Sequence, residues 1–206
     1  MPNVSRPTGY RPVKHVNGSP FNGQTTIYVL LASDATACAV GDLVDITGAA
    51  DASGIPAITR ATGVNGPFVG AIVGFLPSGT DPINGSLGTG TADLSLSGFR
   101  TASTLRYVLV ADATDIVFEA QASGAFAYAT APGLNASTTV TAATANGNAG
   151  LSNMQIDMAT AAGTNTLGMK ILGASRRADQ DLADTSNVKI EVMINQHRKN
   201  QNIAGV

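Results

Sequence analysis

Tryptophan is absent from this chain, and cysteine occurs once, at Cys38. A single thiol excludes an intrachain disulfide and a cysteine-based zinc site. Beside a β-like run it reads as a small buried hydrophobe. Charged residues make up 13% of the 206 positions and aromatic residues 5%, whereas about a quarter of a typical domain is charged. Ala, Gly, Ser, Thr and Asn fill the space instead. A surface built from them packs against a neighbour with little ion desolvation, which favours an assembled state. The net charge of −2 gives no electrostatic case for direct contact with nucleic acid, which depends on neutralising phosphates. No apolar run reaches the roughly 18 residues that cross a bilayer. Residues 1–26 hold no continuous apolar stretch of a secretory signal. The expectation is synthesis in a cytoplasm and no membrane contact.

Residues suited to catalysis are equally sparse. The two histidines, His15 and His197, lie near opposite ends, in segments expected to be flexible. A hydrolytic triad needs a buried acid and an activated Ser or Cys at the histidine, and no nucleophile-elbow glycine pattern accompanies either one. The chain therefore reads as no enzyme, with no metal and no cofactor. Asp51-Ala52-Ser53-Gly54 lacks the later oxygen ligands of a calcium loop and reads as a hairpin turn. Asp112, Asp115, Asp179, Asp181 and Asp184 read as solvated turn acids. Arg176-Arg177 is expected to pair locally with Asp179 and Asp181, and His197-Arg198-Lys199 to be solvated.

Short β-rich runs are what the chain does contain. The central block Ser103–Gln121 carries two of them, Leu105–Val110 and Ile116–Glu119, around Asp112-Ala113-Thr114-Asp115, and predicts a β-hairpin. Thr25–Leu31, Leu43–Thr47 and Ile58–Ala61 read as strands, the second preceded by a turn or bulge at Gly41-Asp42. Phe68–Leu76 is apolar on both parities and predicts a strand buried on both faces, with Gly70 and Gly74 marking close approach or a bend. Phe126–Tyr128 offers a brief strand. Met154, Ile156 and Met158 share one parity, as do Leu167, Met169 and Ile171. The cleanest alternation is Val188, Ile190, Val192 and Ile194. Residues 77–98, with a weak edge strand at Leu94 and Leu96, and 129–149 read as long loops. The fold class is therefore all-β: a sandwich or barrel-like core of about ten short strands. No repeat period is evident, although both halves space their strands similarly.

Residues 1–24 contain Pro2, Pro7, Pro12 and Pro20, which exclude a helix or a central strand. Arg6, Tyr10, Arg11, Val13, Lys14, His15 and Phe21 are interspersed among them. The segment reads either as a solvated tail or as an extended arm that docks these side chains on a capsid or a neighbouring subunit. The aromatic anchors favour the arm. The chain thus divides into an arm at 1–24, a β-rich core at 25–195 and a short tail at 196–206.

Several stretches taken together resemble small structural proteins of tailed bacteriophages encoded near the major capsid protein. They are RPVKHVNGSPFNGQ, TTIYVL, VGDLVDI, FVGAIVGFLP, STLRYVLVADATDIVFEAQ, GLNAS, ILGASRRADQDL and VKIEVMINQHRKNQNIAGV. The resemblance implies a head decoration, or cement, protein on the outside of the virion shell. Its partners would be the major capsid protein and copies of itself, a trimer being favoured. A tail or baseplate component is the alternative. A carbohydrate-binding module would need aromatic platforms that this composition barely supplies.

Overall fold

The computed structural model describes residues 2–77, 98–142 and 150–200. The described residues form thirteen strands and no helix. In order these are β1 (Arg11–His15), β2 (Thr26–Leu30), β3 (Cys38–Ala39), β4 (Leu43–Ala50), β5 (Pro56–Arg60), β6 (Gly70–Phe75), β7 (Phe99–Arg100), β8 (Arg106–Ala111), β9 (Ile116–Ser123), β10 (Asn135–Thr138), β11 (Ile156–Ala162), β12 (Met169–Ala174) and β13 (Lys189–Ile194). The all-β expectation holds. The loop expected at 77–98 lies almost wholly outside the described residues, as does its edge strand at Leu94 and Leu96; of the loop expected at 129–149, residues 143–149 lie outside them and 129–142 are described.

Strands β2-β5-β4-β6-β8 close into a barrel. The pairing β2–β5 is parallel; β2–β8, β4–β5, β4–β6 and β6–β8 are antiparallel. The second half repeats this connectivity. There β9–β11 is parallel, and β9–β13, β10–β11, β10–β12 and β12–β13 are antiparallel. In both halves the first strand pairs with the third and fifth, the second with the third and fourth, and the fourth with the fifth. Both rings therefore lack a free edge of the kind that templates aggregation. β1 is added along the first half of β9.

The duplication extends to backbone detail. Gly41 (φ +92°) and Gly133 (φ +91°) each stand two residues before the second strand of their ring, in a left-handed conformation that costs glycine little. In the pairing of fourth and fifth strands the register slips between Ile72 and Gly74 in one ring and between Ile171 and Gly173 in the other. The chain was expected to have no evident repeat; the repeat lies in strand connectivity, which different side chains satisfy.

Alternation explains how the rings meet. Tyr28, Leu30, Val44, Val69, Ile72, Val108 and Val110 fill the first barrel. Leu43, Phe68, Ala71 and Ala111, on the opposite parity, join Phe118, Ala120, Ile156, Met169, Ile171, Ile190, Val192 and Ile194 of the second ring in one larger core. Phe68–Leu76 is thus buried on both sides, as its composition predicts. At Gly70 an added Cβ would lie 2.2 Å from the Ala111 carbonyl oxygen, so the close approach there admits only glycine. Gly74 meets no such obstacle and marks the bulge.

Several expectations are corrected. β8 and β9 do not pair as a hairpin; β8 belongs to the first barrel and β9 to the second ring, so residues 112–115 bridge the two. A short polar segment between apolar runs serves either geometry, and the long-range pairings decide. Phe126–Tyr128 is irregular and turn-like, whereas Asn135–Thr138 is a strand that the loop-like composition hid. The boundary at residue 24 separates nothing: β1 lies within it, and Tyr10 is fully buried in the larger core. The prolines are accommodated because β1 is an edge strand, with a register shift just after Pro12. At the other end His197 is 1% exposed, Arg198 makes a two-pronged contact with Asp45, and Lys199 pairs with Asp112. The expected solvated basic cluster is a clasp onto the first barrel.

Candidate functional site

Residues 2–10 precede β1 without forming a strand of their own, and polar bonds fix their course across the second ring. The Asn3 amide N–H donates to Asp184 Oδ2 (2.7 Å), and Asn3 Nδ2 donates to the carbonyls of Asp181 and Asp184. The Asp181 N–H donates back to Asn3 Oδ1, and Asn187 Nδ2 donates to the Asn3 carbonyl. Further along, the Arg6 N–H donates to Gln121 Oε1 (2.8 Å), and Lys189 Nζ donates to the Arg6 carbonyl (2.6 Å). Apolar anchoring begins only at Gly9 and Tyr10, where Gly9 packs on the Gly41 backbone and Ser152. The Tyr10 hydroxyl donates to Thr138 Oγ1 (2.6 Å), and burial raises its phenolic pKa.

Between this segment and the ring runs a groove of about 640 Å³. Four cations line it, Arg6, Arg11, Arg177 and Lys189, together with two carboxylates, Glu119 and Asp179. Arg177 is committed internally: it grips Asp179 at 2.8 and 3.0 Å and donates to Glu119 at 2.9 Å. Those contacts hold its pKa up and that of Asp179 down. The Ser175 hydroxyl also donates to Glu119 (2.6 Å). Burial pushes the Lys189 ammonium down to about 8, opposed by Glu119 and helped by the charges of Arg177 and Arg6. The guanidiniums of Arg6 and Arg11 meet no hydrogen-bond or ion-pair partner among the described residues. A second pocket, of about 280 Å³ and mostly apolar, adjoins the groove and shares Thr8 and Arg11 with it.

The residues singled out in the N-terminal segment therefore separate. Arg6 and Arg11 present free charge to the groove. Tyr10 has no surface to offer a partner. Lys14 pairs with Glu191 at 2.8 Å. His15 Nδ1 lies 3.2 Å from Asp115, its ring 6.2 Å from that of Phe21. Phe21 packs on the larger core, and Val13, half-buried in β1, accepts the Phe21 N–H through its carbonyl. The local pairing expected of Arg177 with Asp179 is present. The contribution of Lys189 and Glu119 was not legible, because both sit on strands whose polar parity looks merely solvated.

Other readings settle elsewhere in the fold. Asp51 closes a turn by accepting the N–H groups of Ser53 and Ile55. Asp112 is not a solvated turn acid: it is 6% exposed and accepts Thr26 (3.0 Å), Tyr28 (2.8 Å) and Lys199. Cys38 is buried, and burial pushes its thiol up to about 12, which makes it a packing residue. Among the described residues no three His, Cys, Asp or Glu side chains gather as a metal site would require. Arg100 is fully buried and donates to the carbonyls of Thr104 (2.8 Å), Leu31 (2.7 Å), Asp34 (2.9 Å) and Thr36, tying two loops at one end of the first barrel.

No protein-family model matches the chain, and no curated protein or solved structure does so either.

Proposed function

We propose that this chain is a bacteriophage head decoration, or cement, protein. It binds the outside of the capsid shell and stabilises contacts between major capsid protein subunits, as one member of a homo-oligomer. The observation that carries this reading is the N-terminal segment. It is laid along the second ring by amide and backbone bonds that leave the guanidiniums of Arg6 and Arg11 turned to an open groove. The phage-like stretches of the sequence supply the setting. The interiors of both rings are occupied by side chains, so the business of the molecule is at its surface. A protein that binds only the assembled shell shifts the assembly equilibrium towards it, and many copies multiply a modest contact.

Cryo-electron microscopy of the purified parent particle tests the reading. Density for two linked five-stranded rings, repeated over the head lattice, is the expected result. Density confined to the tail, or none on the particle, overturns it.

A further inference from the structure

The groove and the pocket beside it share a wall and differ in chemistry. Of the four cations in the groove, Arg177 is spent on Asp179 and Glu119, and Lys189 on the Arg6 carbonyl. Arg6 and Arg11 remain, and guanidinium forks match carboxylates in geometry as well as charge. Across the shared wall, Val40, Val73 and Leu151 offer apolar surface, with room for one side chain. We propose that this pair of cavities recognises an acidic–apolar segment of a partner protein. A carboxylate of the segment meets Arg6 and Arg11, and an apolar side chain close to it in sequence enters the pocket.

Local charge favours an anion there. Four cations against two carboxylates leave the groove at +2, on a chain whose net charge is −2. The same numbers disfavour a long polyanion such as nucleic acid, which would meet Glu119 and Asp179 in the groove and a negative molecule beyond it. Arg11 borders both cavities, so the two recognised side chains must be near neighbours. In an extended segment, residues two apart point the same way and lie about 7 Å apart. The pattern implied is an acidic residue followed two positions later by an aliphatic one.

The inference rests on the decoration reading only for which protein supplies the segment. Its test uses the full chain and the capped peptide Gly-Glu-Ser-Leu-Gly, followed by NMR to about 5 mM, because so few contacts give roughly millimolar affinity. Saturable shifts at the methyls of Val40, Val73 and Leu151 and at the side chain of Arg11 are expected. The peptide with Lys in place of Glu should produce none of them. The exposed double variant Arg6→Ala/Arg11→Ala should bind about tenfold more weakly, with its remaining spectrum unchanged as proof of folding. Absence of saturable shifts, or equal binding by the double variant, overturns the proposal. Peptide binding without binding to heads would leave this site standing and remove the decoration role; the reverse pattern would do the opposite.

Discussion

Glu119 and Glu191 stand directly opposite one another across β9 and β13. Like charges in that register repel, and each is answered by its own partners. Glu119 is held by Ser175 and Arg177, and Glu191 by Lys14 from the far side of β9. Lys14→Met therefore leaves Glu191 facing Glu119 uncompensated. Because Lys14 and Glu191 are partly exposed, the expected loss is only about 0.5–1 kcal/mol. Urea denaturation at low salt should show the loss, 1 M salt should shrink it, and Glu191→Gln in the same chain should restore stability. An unchanged midpoint for Lys14→Met would refute the compensation.

Two buried groups pull the pH dependence in opposite directions. Burial pushes the Asp42 carboxyl up to about 6, against the Ser152 hydroxyl, the Ala39 N–H and the charge of Arg60. The folded state thus binds a proton that the unfolded chain does not, and stability from this group rises as pH falls from 6 towards 4. Burial pushes His197 down to about 4, with the Lys199 charge adding to it. It stays neutral in the fold, so its contribution is complete above pH 6.5 and is lost as pH falls towards 4. Each effect is on the order of 3 kcal/mol and they nearly cancel. The protein should show a flat stability profile between pH 4 and 6.5. Asp42→Asn should be more stable than the parent at pH 8 and lose stability on acidification, whereas His197→Asn should gain it. Thermal melts across that range would contradict the assignment if both variants kept the parent's profile.

Gly70 and Gly124 separate two costs of adding a methyl group. At Gly70 the new Cβ would meet the Ala111 backbone, whereas Gly124 has φ +96° and open space. Gly70→Ala should cost more than about 3 kcal/mol, or prevent folding. Gly124→Ala should cost about 1 kcal/mol, from backbone strain alone. Equal denaturation midpoints for the two variants would count against the close contact.

Removal of residues 2–8 cuts the polar bonds of Asn3 and Arg6 and no fully buried side chain, and should leave a cooperative melt with a modestly lower Tm. Removal through residue 10 takes away Tyr10 and its bond to Thr138 and should cost about 3 kcal/mol more. Under the decoration reading, the shorter deletion should also reduce occupancy on heads. Calorimetry and co-sedimentation give the two readouts separately, and full occupancy of the shorter deletion would argue against a role for the segment.

How much of this was legible depends on the range of the interactions. The strand Lys189–Ile194 announced itself because Val188, Ile190, Val192 and Ile194 all face one core. Phe68–Leu76 was legible as doubly buried for the same local reason. The linkage of β8 to β9 was misread because a turn-like tetrapeptide says only that the chain bends, not which strands then pair. The duplicated connectivity was invisible because it constrains backbone at glycines such as Gly41 and Gly133, while the faces of the two rings pack against different neighbours. The groove joins Arg6 to Arg177 and Lys189 across most of the chain, a proximity that no local spacing encodes.

The clasp at Asp112 has a mechanical consequence. The chain passes from the first barrel to the second ring at this residue. After completing that ring it returns to the same residue through Lys199, with Arg198 on Asp45 beside it. The two rings therefore form a closed circuit instead of beads on a string. A load tending to pry them apart must break the clasp as well as stretch the covalent link, so the pair is expected to transmit force as a single rigid body.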